Sequence, residues 1–355
     1  MQSAVKCIPL LIFSAFALQT SAALAEQDSP VSEVPAQAFR FRTPSGPVAV
    51  PYEASQNLSR PAPGITRAVV LVHGVKRNVE SEFRTGLKAA SIAGAEGRGT
   101  LLLAPQFLNE TDLAAHPLPA DVLRWRGSSW ESGQPAASPA PVSSFEVLDA
   151  LVATLCNRAI FPNLTTIVLA GHSAGGQIIQ RYAVVGKAEQ LAAAQGIHVR
   201  FVVANPSSYL YFDNDRPIFS NKRIEFAPFE ARRCPAFDHW KYGPQDGPSY
   251  VALGAVADWQ KTEDAYAQRD VIYLLGTSDN DPNHPELDKS CGGEAEGPMR
   301  LARGQAYFAY LHARHPSLWN QRLRFVPHVA HSADEMFTSP CGLASLFDHG
   351  ACPDQ

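Results

Sequence analysis

Short unbroken apolar runs recur along this chain, each ended by a residue that breaks a strand. Ala68-Val69-Val70-Leu71-Val72 stops at His73-Gly74, and 100–104 stops at Pro105. Further runs cover 165–169, 199–204, 271–275 and 322–326, and Gly171, Asn205-Pro206 and Gly276 follow the first three of these. A run without polar alternation suits a strand buried on both faces of a parallel sheet. Between the runs the apolar positions recur with helical spacing, which predicts helices near 79–92, 145–159, 177–185, 298–314 and 332–347. A weaker segment, 47–52, reads as an edge strand. Strands that alternate with helices predict an α/β fold with a doubly wound, mostly parallel sheet.

Three stretches break the alternation. Residues 26–45 are polar and contain prolines, and read as a linker. Residues 105–142 are irregular and rich in Pro, Ser and Trp. Residues 206–269 are long and rich in Phe, Tyr and Trp, and read as a cap insertion over the C-terminal edge of the sheet, with a plain aromatic packing layer as the alternative. The rest, 46–355, reads as one domain. Ahead of it, Lys6, the apolar run 7–18 and Ala23-Leu24-Ala25 have the form of a signal peptide over 1–25, which predicts export to the periplasm or medium. That run is short for a membrane span.

The 355 residues carry a formal net charge of −4, which leaves no basic footprint for nucleic acid. Past the expected signal there are five cysteines: Cys156, Cys234, Cys291, Cys341 and Cys352. In an exported chain, Cys341 with Cys352 and Cys234 with Cys291 are the natural candidate pairs, and Cys156 sits on an apolar helix face as a buried thiol. Other connectivities stay open.

The chemistry centres on Gly171-His172-Ser173-Ala174-Gly175, which sits between a predicted strand and a predicted helix. Glycines on either side of a serine in that context allow a turn tight enough to lift the hydroxyl above the sheet. A serine nucleophile needs a base, an acid to orient it and an oxyanion hole. Asp279, the first carboxylate after the run 271–275, is the candidate acid, with Asp281 as the alternative. His331, just before the last helix, is the candidate base, with His328 as the alternative. His172 is read as structural, pointing away from Ser173. The backbone N–H groups of Val75 and Ala174 are the candidate oxyanion donors. Trp125, Trp130 and Tyr209 are candidate walls of a substrate pocket. The acidic spacing after Gly276 lacks the glycine and late glutamate of a calcium loop, so no metal is expected.

Together, His73-Gly74-Val75, the serine motif, Asp279 and His331 stand in the chain order of the α/β-hydrolase superfamily, which this chain resembles over about 47–347. The resemblance implies the α/β-hydrolase fold and acyl transfer through a Ser173–His331–Asp279 triad, without a cofactor. It leaves the substrate almost open, and the expected one is a small-molecule or polymeric ester. Export, the aromatic insertion and the small net charge suggest a neutral, partly apolar one. A peptidase or amidase on the same triad is the alternative within enzymes, and a non-catalytic binding protein on the same scaffold is the alternative outside them.

Overall fold

The computed structural model describes residues 29–220, 223–252, 258–317 and 320–352. The expected signal peptide, 1–25, lies outside them. An eight-stranded sheet forms the frame. Its strands are β1 (Ala38–Thr43), β2 (Gly46–Ala54), β3 (Arg67–Val72), β4 (Thr100–Pro105), β5 (Thr166–His172), β6 (His198–Ala204), β7 (Asp270–Gly276) and β8 (Gln321–Val326). In space they run β1-β2-β4-β3-β5-β6-β7-β8. The β1–β2 and β2–β4 pairs are antiparallel, and the strands from β4 to β8 are parallel. Because the two central strands β3 and β5 end side by side, with Val72 opposite Gly171, the turns after them share one edge of the sheet.

The long helices are α1 (Val79–Ile92), α2 (Ser144–Leu155), α3 (Ala174–Val185), α4 (Trp259–Ala267) and α5 (Arg300–Arg314), followed by the shorter α6 (Ala333–Thr338) and α7 (Pro340–Phe347). Alternate side chains of each strand serve opposite faces. Val69 and Leu71 pack with Ala89 of α1, Met336 and Phe337 of α6 and Leu346 of α7. Ala68, Val70 and Val72 join the larger cluster that holds Phe145 and Leu148 of α2, Ile178 and Tyr182 of α3 and Tyr307 of α5. Each such aliphatic side chain contributes about 2 kcal/mol on burial. Helix α2 starts at a capping box, in which Ser143 accepts from the Phe145 N–H and Glu146 accepts from the Ser143 N–H at 2.7 Å.

The chain differs from the pattern-based expectation in four places. Part of the expected linker, 26–45, is the strand β1, whose Phe39 and Phe41 rings stack on each other at 5.5 Å. β1 therefore takes the edge position expected of 47–52. Residues ahead of it are tied down as well, since the Val31 N–H donates to Asp112 at 2.8 Å. The last expected helix is two, because Pro340 lacks the N–H needed to continue α6 and instead opens α7. Within 206–269 a hairpin pairs Asp215–Ser220 with Arg223–Pro228, and α4 follows. Most aromatic rings of that stretch are spent on the core: Tyr209, Tyr211 and Phe212 pack on Tyr307, Tyr310 and Tyr266.

Both candidate disulfides are present, Cys234–Cys291 and Cys341–Cys352, and Cys156 is a buried free thiol. Among the described residues no helix is long and apolar enough to cross a membrane.

Candidate active site

Ser173 sits at the junction of β5 and α3 with φ 60° and ψ −121°. Such a backbone costs a serine on the order of 1–3 kcal/mol, so the surroundings must impose it. They do so by close packing. A Cβ on Gly175 would lie 2.0 Å from the Val72 carbonyl, and one on Gly171 would lie 2.3 Å from the Gly175 backbone. The Ser173 N–H is anchored to the Ala204 carbonyl at 3.0 Å.

Two further side chains meet Ser173 from distant parts of the chain. His331 Nε2 is 2.9 Å from Ser173 Oγ, and its Nδ1 is 2.7 Å from Asp279 Oδ2. A carboxylate only accepts, so Nδ1–H donates to Asp279 and Nε2 is left to accept from the serine hydroxyl. Asp279 follows β7 and is 4% exposed. The loops that carry the pair are laced together, with the Ser278 N–H donating to the Val329 carbonyl at 2.9 Å. Asn205 braces them from β6, accepting from the Gly276 N–H at 2.9 Å and donating to the Ala330 carbonyl at 3.3 Å. The alternatives lie elsewhere. Asp281 is exposed and caps the Asn283 N–H at 2.8 Å, and His328 is exposed on a turn with φ 63°.

Electrostatics favour a neutral imidazole at His331. Burial, with the Arg300 guanidinium and His284 nearby, lowers the His331 imidazole from 6.5 to about 2. Burial raises the Asp279 carboxyl, and Arg300 opposes that rise. Buried Arg300 stands behind the acid, with Nη1 3.5 Å from Asp279 Oδ1 and Nε donating to Ser207 Oγ at 3.0 Å. His331 is flanked by two rings, His172 at 4.5 Å and His284 at 5.0 Å between centroids. His172, expected to point away from this centre, therefore lies against it.

Two cavities meet at Ser173, and Val75 borders both. The first, about 430 Å³, is walled by Ala174, Gln177, Glu131, Lys241 and Asp288. Lys241 Nζ lies 2.5 Å from Glu131 Oε1 and 3.1 Å from Asp288 Oδ2. Burial opposes the lysine charge, but the two carboxylates outweigh it and hold the amine protonated. Buried Arg181 fixes this wall from behind, bonding the Lys241 carbonyl at 3.0 Å and Ser208 Oγ at 2.8 Å. The second cavity, about 540 Å³, is bordered by Gly74, Glu82, His172, His284 and His331.

Val75 and Ala174 both border the first cavity together with Ser173, and as the first residue of α3, Ala174 has an N–H with no partner inside its helix. Trp125, Trp130 and Tyr209 are fully buried rather than cavity walls. Trp125 Nε1 donates to the Gln134 carbonyl at 2.9 Å, Trp130 stacks on Phe107 at 5.4 Å, and Tyr209 stacks on Tyr307 at 4.6 Å. Large rings gain most from complete burial, so the same segments instead send Ser128, Glu131 and Ser207 to the cavity. Glu131, Gln177, Lys241, Asp288 and Arg300 escaped the sequence reading, because no local motif marks an ion pair between positions so far apart. Among the described residues no group of His, Cys, Asp and Glu could hold a metal ion.

No family model and no curated protein matches the chain. Solved structures do share its fold. A poly(aspartic acid) hydrolase from Sphingomonas sp. KT-1 is 22% identical with a TM-score of 0.55, over 87% of this chain and 96% of its own. A poly(3-hydroxybutyrate) depolymerase from Bordetella parapertussis is 21% identical with a TM-score of 0.56, over 90% of this chain and 91% of its own.

Proposed function

The chain having the α/β-hydrolase fold, we propose that it is an exported serine hydrolase that cleaves carboxylic esters through an acyl-enzyme. The observation that carries the reading is His331, bonded on one side to Ser173 Oγ at 2.9 Å and on the other to buried Asp279 at 2.7 Å. In this reading His331 takes the serine proton as Oγ attacks the ester carbonyl. The N–H groups of Val75 and Ala174 receive the developing oxyanion. The tetrahedral intermediate collapses, the carbon–oxygen bond to the leaving group breaks, and His331 returns the proton to the departing oxygen. Water, activated by the same imidazole, then releases the acid and frees Ser173. Asp279 keeps His331 in the tautomer that the first step needs.

The first cavity supports a short or polar acyl group rather than a long aliphatic one. A long alkyl chain would have to lie against the paired charges of Glu131, Lys241 and Asp288 and strip water from them while offering no hydrogen bond in return. This narrows the partly apolar substrate that composition suggested. Both fold neighbours named above are called after polymers that they hydrolyse, which fits a chain-like substrate carrying repeated polar groups. Two disulfides fit an oxidising compartment and support export.

The test is hydrolysis of para-nitrophenyl esters from acetate to palmitate by the protein and by Ser173→Ala, with fluorophosphonate labelling alongside. Labelling and turnover that need Ser173, and that fall as the acyl chain lengthens, are the expected result. Turnover that survives Ser173→Ala, or absence of both labelling and turnover, would sink the reading.

A further inference from the structure

The second cavity has a property that the first lacks: its walls hold polar atoms without partners. In the first, Glu131, Lys241, Gln177 and Asp288 satisfy one another. In the second, buried Glu82 Oε1 has no hydrogen-bond partner, and neither has buried His172 Nε2. Glu82 stands on the first turn of α1 and lies only 6% exposed. Lys76, which borders the same cavity, is 3.3 Å from Glu286 Oε1. Buried polar atoms normally find partners, and the two residues that carry these orphans both border one cavity, where a ligand would reach their side chains.

The chemistry of the triad says which part of a substrate comes here. His331 must protonate the leaving atom, so the leaving group sits on the imidazole side of Ser173. His331 borders the second cavity and not the first. We propose that the second cavity is the leaving-group subsite, and that the Glu82 carboxyl selects leaving groups carrying a hydrogen-bond donor, a hydroxyl or an ammonium. This rests on the serine-hydrolase reading above and adds the chemistry of the departing alcohol to it. Burial raises the Glu82 carboxyl to about 8, which keeps it protonated near neutrality. A hydroxyl meets that form directly, and an ammonium draws the proton off and pairs with the anion.

Three acetate esters test it: para-ethylphenyl, para-(hydroxymethyl)phenyl and para-(aminomethyl)phenyl acetate. All form the same acetyl-enzyme, so differences in kcat/KM report the leaving-group side alone. The two donor-bearing esters are expected to exceed the ethyl one by on the order of tenfold. Glu82→Leu should abolish both preferences. Glu82→Gln keeps the shape and should lose the ammonium preference while retaining part of the hydroxyl one. Equal kcat/KM for the three esters, or preferences that persist in Glu82→Leu, would overturn the proposal. A separate readout is calorimetric binding of para-(aminomethyl)phenol to Ser173→Ala. Binding lost on adding Glu82→Leu supports the subsite even if no ester is turned over, in which case the hydrolase reading alone has failed. Undiminished binding in that double variant overturns the subsite.

Discussion

At the scale of single residues, the decisive property of the site is a histidine kept neutral by its surroundings. The imidazole works as a base only when unprotonated, and its lowered value carries that form well below the usual 6.5. The acid limb of kcat/KM should therefore fall below the range of an ordinary histidine in a pH–rate profile. Arg300 is one cause of the lowering, so Arg300→Met should move the limb upward, whereas loss of activity with an unmoved limb would assign Arg300 a packing role only. Asp279→Asn replaces an acceptor-only carboxylate with an amide that can donate to Nδ1 and hold the wrong tautomer, and kcat should drop by about 10⁴-fold with little change in KM. That Asp279, His331 and Ser173 would meet at one edge of the sheet was legible because each follows a strand that the apolar runs had already marked. The choice of His331 over His328 followed from its place just before a helix. Neither Arg300 behind the acid nor His172 beside the base carries such a local signal.

At the scale of elements, the β5–α3 elbow is the least forgiving part of the molecule. Gly175→Ala places a methyl group 2.0 Å from the Val72 carbonyl, between backbones that cannot both retreat. The variant should unfold several degrees lower and lose fluorophosphonate labelling, and a melt together with labelling will show whether the two fall together. Helix α2 is a milder case, since Ser143→Ala should cost about 1 kcal/mol in denaturant unfolding and leave turnover intact. Periodicity located these helices and the parallel strands, and missed β1. An edge strand half in water carries a weaker apolar signal than one buried on both faces. It missed the break at Ser339-Pro340 as well, because the apolar face runs on through α6 and α7.

At the scale of the whole molecule, the Cys234–Cys291 disulfide closes a loop of 57 residues and ties the segment bearing Lys241 to the loop bearing Asp288. The loop-entropy argument gives it about 4 kcal/mol, against about 3 for the shorter Cys341–Cys352 loop. A Cys234→Ala, Cys291→Ala double variant should melt earlier and raise KM more than it lowers kcat, because it frees the wall of the first cavity and leaves the triad untouched. A fall confined to kcat would contradict that division. Sequence offered both pairs as candidates but left other connectivities open, and the fold selects between them by which cysteines it brings together.

The layered α/β frame, the serine turn and the order of the three residues expected to do the chemistry are written in short stretches of sequence. Apolar runs, breaker residues and glycines act within a few positions of one another, and their physics is local. The tertiary structure alone decided what surrounds Ser173. It placed Lys241 between Glu131 and Asp288, buried Trp125, Trp130 and Tyr209 in the core, and left Glu82 Oε1 without a partner on a residue that borders the second cavity. These are outcomes of burial and charge pairing between segments far apart in the chain, and packing settles them only once the sheet has brought those segments together.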